Sequence, residues 1–287
     1  MTRDDRAEVH AAKAAYLLRR RALDLIGAAL SSVEVVGLLV KGAGLAETVY
    51  AEPWSRAMSD VDLVVPAEVQ RVCLDAFEAL GHEVVPIPDN RRRSYEAHGE
   101  RMVRVAVGPA RVAVELHATL DKLVLHPIDW PGILARSSAI SGLSESLRVP
   151  CVEDHALLVM LHAALSELRH ERAWDDLERL VERGLDRNLL VERGRAWGLA
   201  PTMALVLDAL EARRPTSAAA ALRRELRGAL PERPLARRLF ERAAVARHKG
   251  TGLTWVVRQA MLRDDPLRYA LGVLRFAGLR VADKLPW

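Results

Sequence analysis

The hydrophobic pattern of this chain changes near its middle, and that change limits the folds it can adopt. Up to about residue 120, short β-branched apolar runs alternate with stretches of helical periodicity. Beyond about residue 150 almost all of the chain has helical periodicity, with prolines at several helix starts. We therefore predict an α+β fold, in which a small mixed β-sheet domain flanked by helices precedes an all-α C-terminal domain.

Three segments follow from this pattern. Residues 1–30 predict a helix that packs on the sheet domain, residues 31–135 predict the sheet domain itself, and residues 150–287 predict the helical domain. Within the sheet domain we expect an irregular, arginine-rich loop over residues 88–100. The expected strands cover residues 33–40, 61–65, 83–87, 102–107 and 111–117, and the last two form a hairpin around Gly108-Pro109.

Composition narrows the class of protein. The 287 residues are 50% hydrophobic and 28% charged, which is typical of a globular protein and excludes disordered, collagen-like and membrane-spanning chains. The N-terminus carries charges throughout and lacks the apolar core of a signal peptide. Two cysteines, Cys73 and Cys151, cannot by themselves form a disulfide framework or a zinc site. We expect a cytoplasmic protein without a transmembrane segment.

Charge is unevenly distributed along the chain. The formal net charge is +4, but residues 221–287 carry fifteen Lys/Arg against six Asp/Glu, a surplus of +9. Such a surplus is compatible with a nucleic-acid or membrane surface, and also with solvated helix faces. No aromatic stacking motif of the kind used for RNA binding accompanies it.

The segment most informative about chemistry runs from residue 39 to residue 65. Lys41-Gly42 ends one apolar strand, and Asp60 and Asp62 stand at the mouth of the next. Because side chains alternate along a strand, both carboxylates face the same way. We expect them to point outward, so that replacing them leaves no cavity in the core. Paired carboxylates are suitable ligands for Mg²⁺ bound together with a substrate's phosphates.

A second polar pair lies downstream, where Glu115 and His117 interrupt an otherwise apolar strand. Polar groups on a buried strand are unfavourable unless they are paired or bound to metal. If this strand neighbours residues 61–65, Glu115 supplies a third carboxylate. Three acids on adjacent strands are typical of two-metal phosphoryl-transfer sites, although an exposed polar strand face also accommodates both residues.

The order and spacing of these residues resemble the polymerase-beta-like nucleotidyltransferase superfamily. The resemblance is to an uncharacterised bacterial subgroup with Lys-Gly in place of Gly-Gly or Gly-Ser, followed by Asp-x-Asp and Glu-x-His motifs. The subgroup's pattern matches this chain at Lys41, Gly42, Leu45, Ala46, Tyr50, Arg56, Met58, Asp60, Asp62, Leu63, Val64, Glu115 and His117.

This resemblance implies a Mg²⁺-dependent enzyme that moves a nucleoside monophosphate from an NTP, ATP among them, to an acceptor hydroxyl and releases pyrophosphate. It implies that Asp60, Asp62 and Glu115 are catalytic and hold two Mg²⁺ ions, or Mn²⁺ in their place. It also implies nucleotide binding by Lys41, Gly42, Arg56 and Ser59, and places the acceptor side in the helical domain.

Several points stay open at the level of sequence. His117, His162 and Asp176 are candidates for contacting the acceptor or for positioning the catalytic groups, while His162 also fits a core histidine and Asp176 fits a helix-start residue. The acceptor is expected to be a small molecule, peptide or protein. The alternatives are an inactive nucleotide-binding module and a toxin–antitoxin or RNA-directed enzyme. The sequence does not define an oligomeric state.

Overall fold

The structure, a computed structural model, describes residues 3–121, 126–245, 253–262 and 266–283. The chain divides into two compact units. The first contains residues 1–120, 130–151 and 282–287, and the second contains residues 121–129 and 152–281. The domain boundaries given above remain a prediction.

A seven-stranded mixed sheet forms the first unit. Its strands are β1 (Gly37–Val40), β2 (Asp60–Val64), β3 (Glu83–Val85), β4 (Glu100–Val107), β5 (Ala110–His117), β6 (Ser138–Ala139) and β7 (Leu147–Val149). They lie in the order β3-β4-β5-β2-β1-β7-β6. β2 pairs with β5 and β1 with β7 in parallel, and the other neighbours are antiparallel.

Five helices accompany the sheet: α1 (Arg3–Ser31), α2 (Lys41–Thr48), α3 (Gln70–Ala79), α4 (Arg92–His98) and α5 (Trp130–Arg136). Short 3-10 turns cover Pro53–Ser55, Ala67–Val69 and Asp89–Arg91. α2 follows β1 without an intervening loop, so the chain turns from strand into helix at Lys41.

The two faces of the sheet differ in chemistry because side chains alternate along each strand. One face packs against the apolar faces of α1 and α3 and forms the core. Its members include Ile26 and Leu30 of α1, Phe77 of α3, and Leu63 and Leu116 of the central strands, all fully buried. The opposite face carries Asp60, Asp62, Glu115 and His117, and it is the face on which the candidate site lies.

The second unit is helical. Its helices are α6 (Val152–Leu165), α7 (Glu171–Glu182), α8 (Arg187–Ala196), α9 (Ala200–Arg213), α10 (Ala218–Glu225), α11 (Pro234–Val245), α12 (Leu253–Ala260) and α13 (Pro266–Ala282). α6 and α9 are buried along most of their length, which explains their apolar sequences. None of the helices in the described ranges is both long and apolar enough to cross a bilayer.

The predicted fold class is confirmed, and local errors have physical causes. The first strand begins at Gly37 instead of residue 33, because residues 32–34 form a turn in which Glu34 has a φ of 55°. Residues 92–98 form α4, where the sequence predicted an irregular loop. α5, β6 and β7 were not predicted, because each is short and residues 127–142 are rich in proline, glycine and serine. The basic C-terminal surplus lies partly outside the described residues.

A buried histidine in α6 predicts that acid destabilises the fold. His155 is 1% exposed, its Nε2 has no hydrogen-bond partner among the described residues, and burial lowers its pKa to about 3. The unfolded chain binds this proton near the ordinary pKa of ~6.5, so stability is lost as pH falls from about 6.5 toward 3. When the pH is lowered from about 7.5 to 4.5, we expect the thermal midpoint of His155→Leu to fall by less than that of the wild-type protein.

His10→Leu is the matched control, because His10 is exposed in α1. This control should follow the wild-type protein at both pH values. An acid sensitivity that is the same in wild type and His155→Leu would contradict the assignment.

Candidate active site

Three side chains converge where β2 and β5 pair in parallel. The register sets Asp62 opposite Glu115 and Val64 opposite His117, so their side chains share one face of the sheet. His117 Nε2 lies 3.1 Å from Asp62 Oδ1 and 3.4 Å from Glu115 Oε2. One ligand atom from each of the three residues lies within 4.8 Å of the others, a spacing that could hold a metal ion. We call Asp62, Glu115 and His117 the acidic cluster.

Lys41, the first residue of α2, brings a positive charge to the acidic cluster. Its Nζ donates a hydrogen bond to Asp62 Oδ1 at 2.6 Å, and its backbone has a φ of 51°. This left-handed conformation favours glycine and costs a lysine ~1 kcal/mol or more. The strained turn and the buried ion pair together fix the ammonium group against the carboxylate.

Asp60 lies one step along the same face, opposite Ala113, and it is not a member of the acidic cluster. Its carboxylate accepts a hydrogen bond from Ser59 Oγ at 3.1 Å. Burial, followed by the negative charges of Asp62 and Glu115, raises the pKa of Asp60. Asp60 is thus close enough to the acidic cluster for the charges of Asp62 and Glu115 to influence its pKa.

The expectation that both aspartates point outward was wrong for Asp62. Asp62 is only 7% exposed and is enclosed by Lys41 and His117, whereas Asp60 is partly exposed. The sequence placed both residues at the start of a strand. In the sheet, β2 lies between β1 and β5, and the side chains of Lys41, directly after β1, and His117, at the end of β5, enclose Asp62.

Ionisation within the acidic cluster is tightly coupled. Burial is the largest influence on the pKa of Asp62 and raises it, but the hydrogen bond from His117 and the charge of Lys41 outweigh burial and lower the pKa overall. The hydrogen bond from His117 likewise lowers the pKa of Glu115. Burial opposes protonation of His117, yet its hydrogen bonds to both carboxylates raise its pKa above the ordinary value. Both cluster carboxylates are therefore held as anions beside a histidine that favours its charged form.

The start of α2 lies next to this arrangement. α2 has no side-chain N-cap and no acidic residue in its first turn, so its first backbone N–H groups are not neutralised by its own side chains. Gly42 stands in this turn, and a side chain there would approach the Met58 side chain at 3.3 Å and Arg56 Nη2 at 3.7 Å. Gly42 and the Arg56 side chain are thus neighbours.

Sequence reasoning missed Arg19. This residue of α1 donates from Nη1 to the Met58 carbonyl oxygen at 3.4 Å, while its Nε is buried without a hydrogen-bond partner. Burial, and then the positive charge of nearby Arg56, lower the pKa of Arg19. Two guanidinium groups side by side favour an anion between or beside them. The run Arg19-Arg20-Arg21 was the available signal, but helical periodicity alone does not show which arginine turns inward.

The remaining sequence candidates lie in the helical unit. The His162 ring in α6 stacks on the His170 ring, with 5.2 Å between their centroids. Asp176 of α7 is 3% exposed. Both residues belong to the second compact unit, and their proposed functional roles remain predictions.

A sheet with carboxylates on two neighbouring strands, beside a helix that starts with Lys41-Gly42, is consistent with a nucleotidyltransferase domain. Residues 4–214 match the sequence profile of the family described as "Uncharacterised nucleotidyltransferase". The match spans well over half of the chain, and the protein belongs to this family. A search of the curated proteins finds no match.

The raised pKa of His117 predicts a stability change on the alkaline side. Below the unfolded value of ~6.5 both states bind the proton, so the stabilisation by charged His117 is complete there and is lost as pH rises through its folded pKa. We expect the free energy of unfolding of wild type to fall relative to His117→Gln between about pH 6 and pH 8.5, as measured by urea denaturation.

Asp62→Asn removes the partner of His117 and should weaken the same pH dependence. The double variant should add little to either single change, because the residues act as one pair. Parallel pH profiles for wild type and His117→Gln would show that the histidine does not gain its charge from the acidic cluster.

Proposed function

We propose that the protein is a Mg²⁺-dependent nucleotidyltransferase that moves a nucleoside monophosphate from an NTP, with ATP the first candidate, to a hydroxyl of a small molecule, peptide or protein. Pyrophosphate would be the second product. The observation that supports this most strongly is the acidic cluster itself, with Asp60 one step away on the same face. Membership of a nucleotidyltransferase family supports the reaction class.

The residues present fit divalent cations. Asp60, Asp62 and Glu115 offer carboxylate oxygens, which Mg²⁺ prefers. His117, once its proton is displaced, offers an imidazole nitrogen that widens the choice toward Mn²⁺. Lys41 already sets a positive charge on Asp62 at 2.6 Å, which supports the assignment of the acidic cluster as a cation site. In such sites two divalent ions, when bound, stabilise the entering and leaving oxygens of the transferred phosphoryl group.

The triphosphate would lie at the end of the acidic cluster where α2 begins. The unneutralised N–H groups of α2 and the charges of Lys41, Arg56 and Arg19 all favour an anion there. Asp62 would hold a divalent cation when one is bound, and Lys41 would then be available to bind a phosphate of the NTP.

Glu115 is the group best suited to meet the acceptor hydroxyl. It is less enclosed than Asp62, with 28% of its side chain exposed against 9%, and its lowered pKa keeps it ionised at neutral pH. An ionised carboxylate can accept the hydroxyl proton as the oxygen attacks the α-phosphorus. His117 would hold Glu115 in position through the contact at 3.4 Å.

Replacing the carboxylates one at a time tests this function. Asp60→Asn and Glu115→Gln should each lower Mg²⁺-dependent pyrophosphate release by ~10²-fold or more, the scale for removing one preorganised charged group. Glu115→Gln should affect turnover far more than NTP affinity, because its contact with the acceptor strengthens in the transition state. Each variant is assayed with labelled NTPs and a cell extract as the acceptor source, and NTP affinity is measured by calorimetry.

Glu83→Gln is the matched control, since Glu83 lies on the edge strand β3 and is exposed. It should retain full release. Retained Mg²⁺-dependent release in Asp60→Asn or Glu115→Gln would falsify the assignment. NTP binding without release in the wild type would identify an inactive nucleotide-binding module.

Removing the lysine charge separates metal binding from catalysis. Without nucleotide, Lys41→Met should bind Mn²⁺ about tenfold more tightly than wild type, because a competing unit charge a few ångströms away is worth ~1–4 kcal/mol. The same variant should transfer less, since the triphosphate loses a cation. Mn²⁺ binding is followed by the electron paramagnetic resonance signal of the free ion.

Lys13→Met is the control, because Lys13 lies over the Trp54 ring at 4.6 Å and not on the acidic cluster. Its Mn²⁺ affinity should equal that of wild type. Weaker Mn²⁺ binding by Lys41→Met would show that Lys41 supports the metal site instead of competing with it.

A further inference from the structure

An apolar cavity of about 430 Å³ opens on the same face of the sheet as the acidic cluster. Its lining comes from β1, β2, the turn after β2, the end of β5 and α5, all within the first unit. Leu38 and Val64 line it from the sheet, and Trp130 and Leu134 line it from α5. Glu68, which is exposed, is the one ionisable residue of the lining within the part of the chain that the structure describes.

The strand register places this cavity directly beside the acidic cluster. Val64 pairs with Leu38 on one side and with His117 on the other. Val64 follows Asp62 by two residues on the same face, which is a displacement of roughly 7 Å along the strand. The cavity therefore begins where the acidic cluster ends.

The groups that favour a triphosphate lie toward the other end of the acidic cluster. Val40 pairs with Asp62 at the end of β1, and Lys41 and Gly42 follow at the start of α2, beyond this last pair. Arg56 neighbours Gly42 there. Along the strands, the acidic cluster thus stands between the cations and the cavity.

This order matches the geometry of in-line transfer. The acceptor oxygen forms its bond to the α-phosphorus on the side opposite the oxygen that bridges to the β-phosphorus. As that bridging bond breaks, its electron pair leaves with pyrophosphate, and the hydroxyl proton passes to a base such as Glu115. If the β- and γ-phosphates of the NTP lie against Lys41 and Arg56, the acceptor hydroxyl approaches the α-phosphorus from the side of the cavity.

We propose that this cavity binds the body of the acceptor, and that the acceptor is an aromatic or alkyl hydroxyl compound. The inference rests on the proposed function and names the acceptor class for it. Beyond Glu68, the only polar side-chain atom that the described residues bring to the lining is the indole nitrogen of Trp130. A sugar or a nucleic-acid end would leave its hydroxyl or phosphate groups without side-chain partners here, and Glu68 disfavours an anion.

The test uses 2-naphthol, a fluorescent aromatic alcohol, titrated into the full chain without metal or nucleotide. Binding is expected, and D-ribose should not compete for it. Leu134→Glu should weaken binding by about tenfold or more, because a carboxylate is introduced into an apolar lining. Leu80→Glu, a leucine-to-glutamate change at a position that is 48% exposed in the first unit, should stay within about twofold of wild type.

Ala118→Leu provides a second variant that narrows the cavity without adding a charge, in case Leu134→Glu does not fold. It should also weaken binding of 2-naphthol. Equal affinity in wild type and in whichever of these two variants keeps the wild-type circular dichroism would overturn the proposal, and so would competition by D-ribose.

A second arm separates this inference from the proposed function. Pyrophosphate release from Mg²⁺ and ATP is measured on the same preparations, with 2-naphthol or a cell extract as acceptor source. Release with the extract, but no binding of 2-naphthol, overturns the acceptor cavity and leaves the transferase standing. Binding of 2-naphthol without release from any source overturns the transferase and, with it, the assignment of this cavity to an acceptor.

Discussion

The parallel hydrogen bonds between β2 and β5 fix the spacing of the acidic cluster. They set Asp62 opposite Glu115 and bring His117 close enough to contact both. A shift of this register by one residue would turn the β5 side chains to the opposite face and separate the carboxylates. The apolar residues between them, such as Leu63 and Leu116, hold the register because they are fully buried against the core helices.

The chain accommodates this concentration of negative charge by surrounding it with cations from different elements. Lys41 comes from the start of α2, His117 from β5, and Arg56 from the segment between α2 and β2. Lys41 is held by its backbone geometry and by its hydrogen bond to Asp62, and His117 is held by its own hydrogen bond to Asp62. Buried charges are tolerated when paired in this way, whereas removing one partner leaves the other uncompensated. The stability of the first unit and the electrostatics of its site are therefore linked.

Much of the sheet and its polar residues could be predicted from sequence, because both depend on short-range patterns. Strand alternation indicated that Asp60 and Asp62 share a face, and a parallel pairing with the Glu115 strand was the one further condition needed. The burial of Asp62 could not be predicted, since it depends on strands that join β2 from distant parts of the chain. Arg19 was missed for a similar reason, because its environment is set by the Met58 carbonyl and by Arg56.

The region around α5 was harder to predict from sequence than the central strands. Its sequence, Trp130-Pro131-Gly132, contains the residues that usually mark a turn, and its helix is only 7 residues long. The sequence pattern therefore could not predict that α5 lines a cavity. Short elements held by tertiary packing carry little periodicity, so the apolar wall beside the acidic cluster emerges only from the folded structure.

The separation of β2 and β5 along the chain also governs when the site can exist during synthesis. Asp62 and His117 lie 55 positions apart, so β2 must wait for several seconds at ~5–20 residues per second before its partner leaves the ribosome. The β4–β5 hairpin is local and can form first, whereas closing the longer loop onto β2 is slower. Until then the carboxylates are distant from one another. A nascent or partly folded chain therefore cannot assemble the acidic cluster, which forms only in the finished sheet.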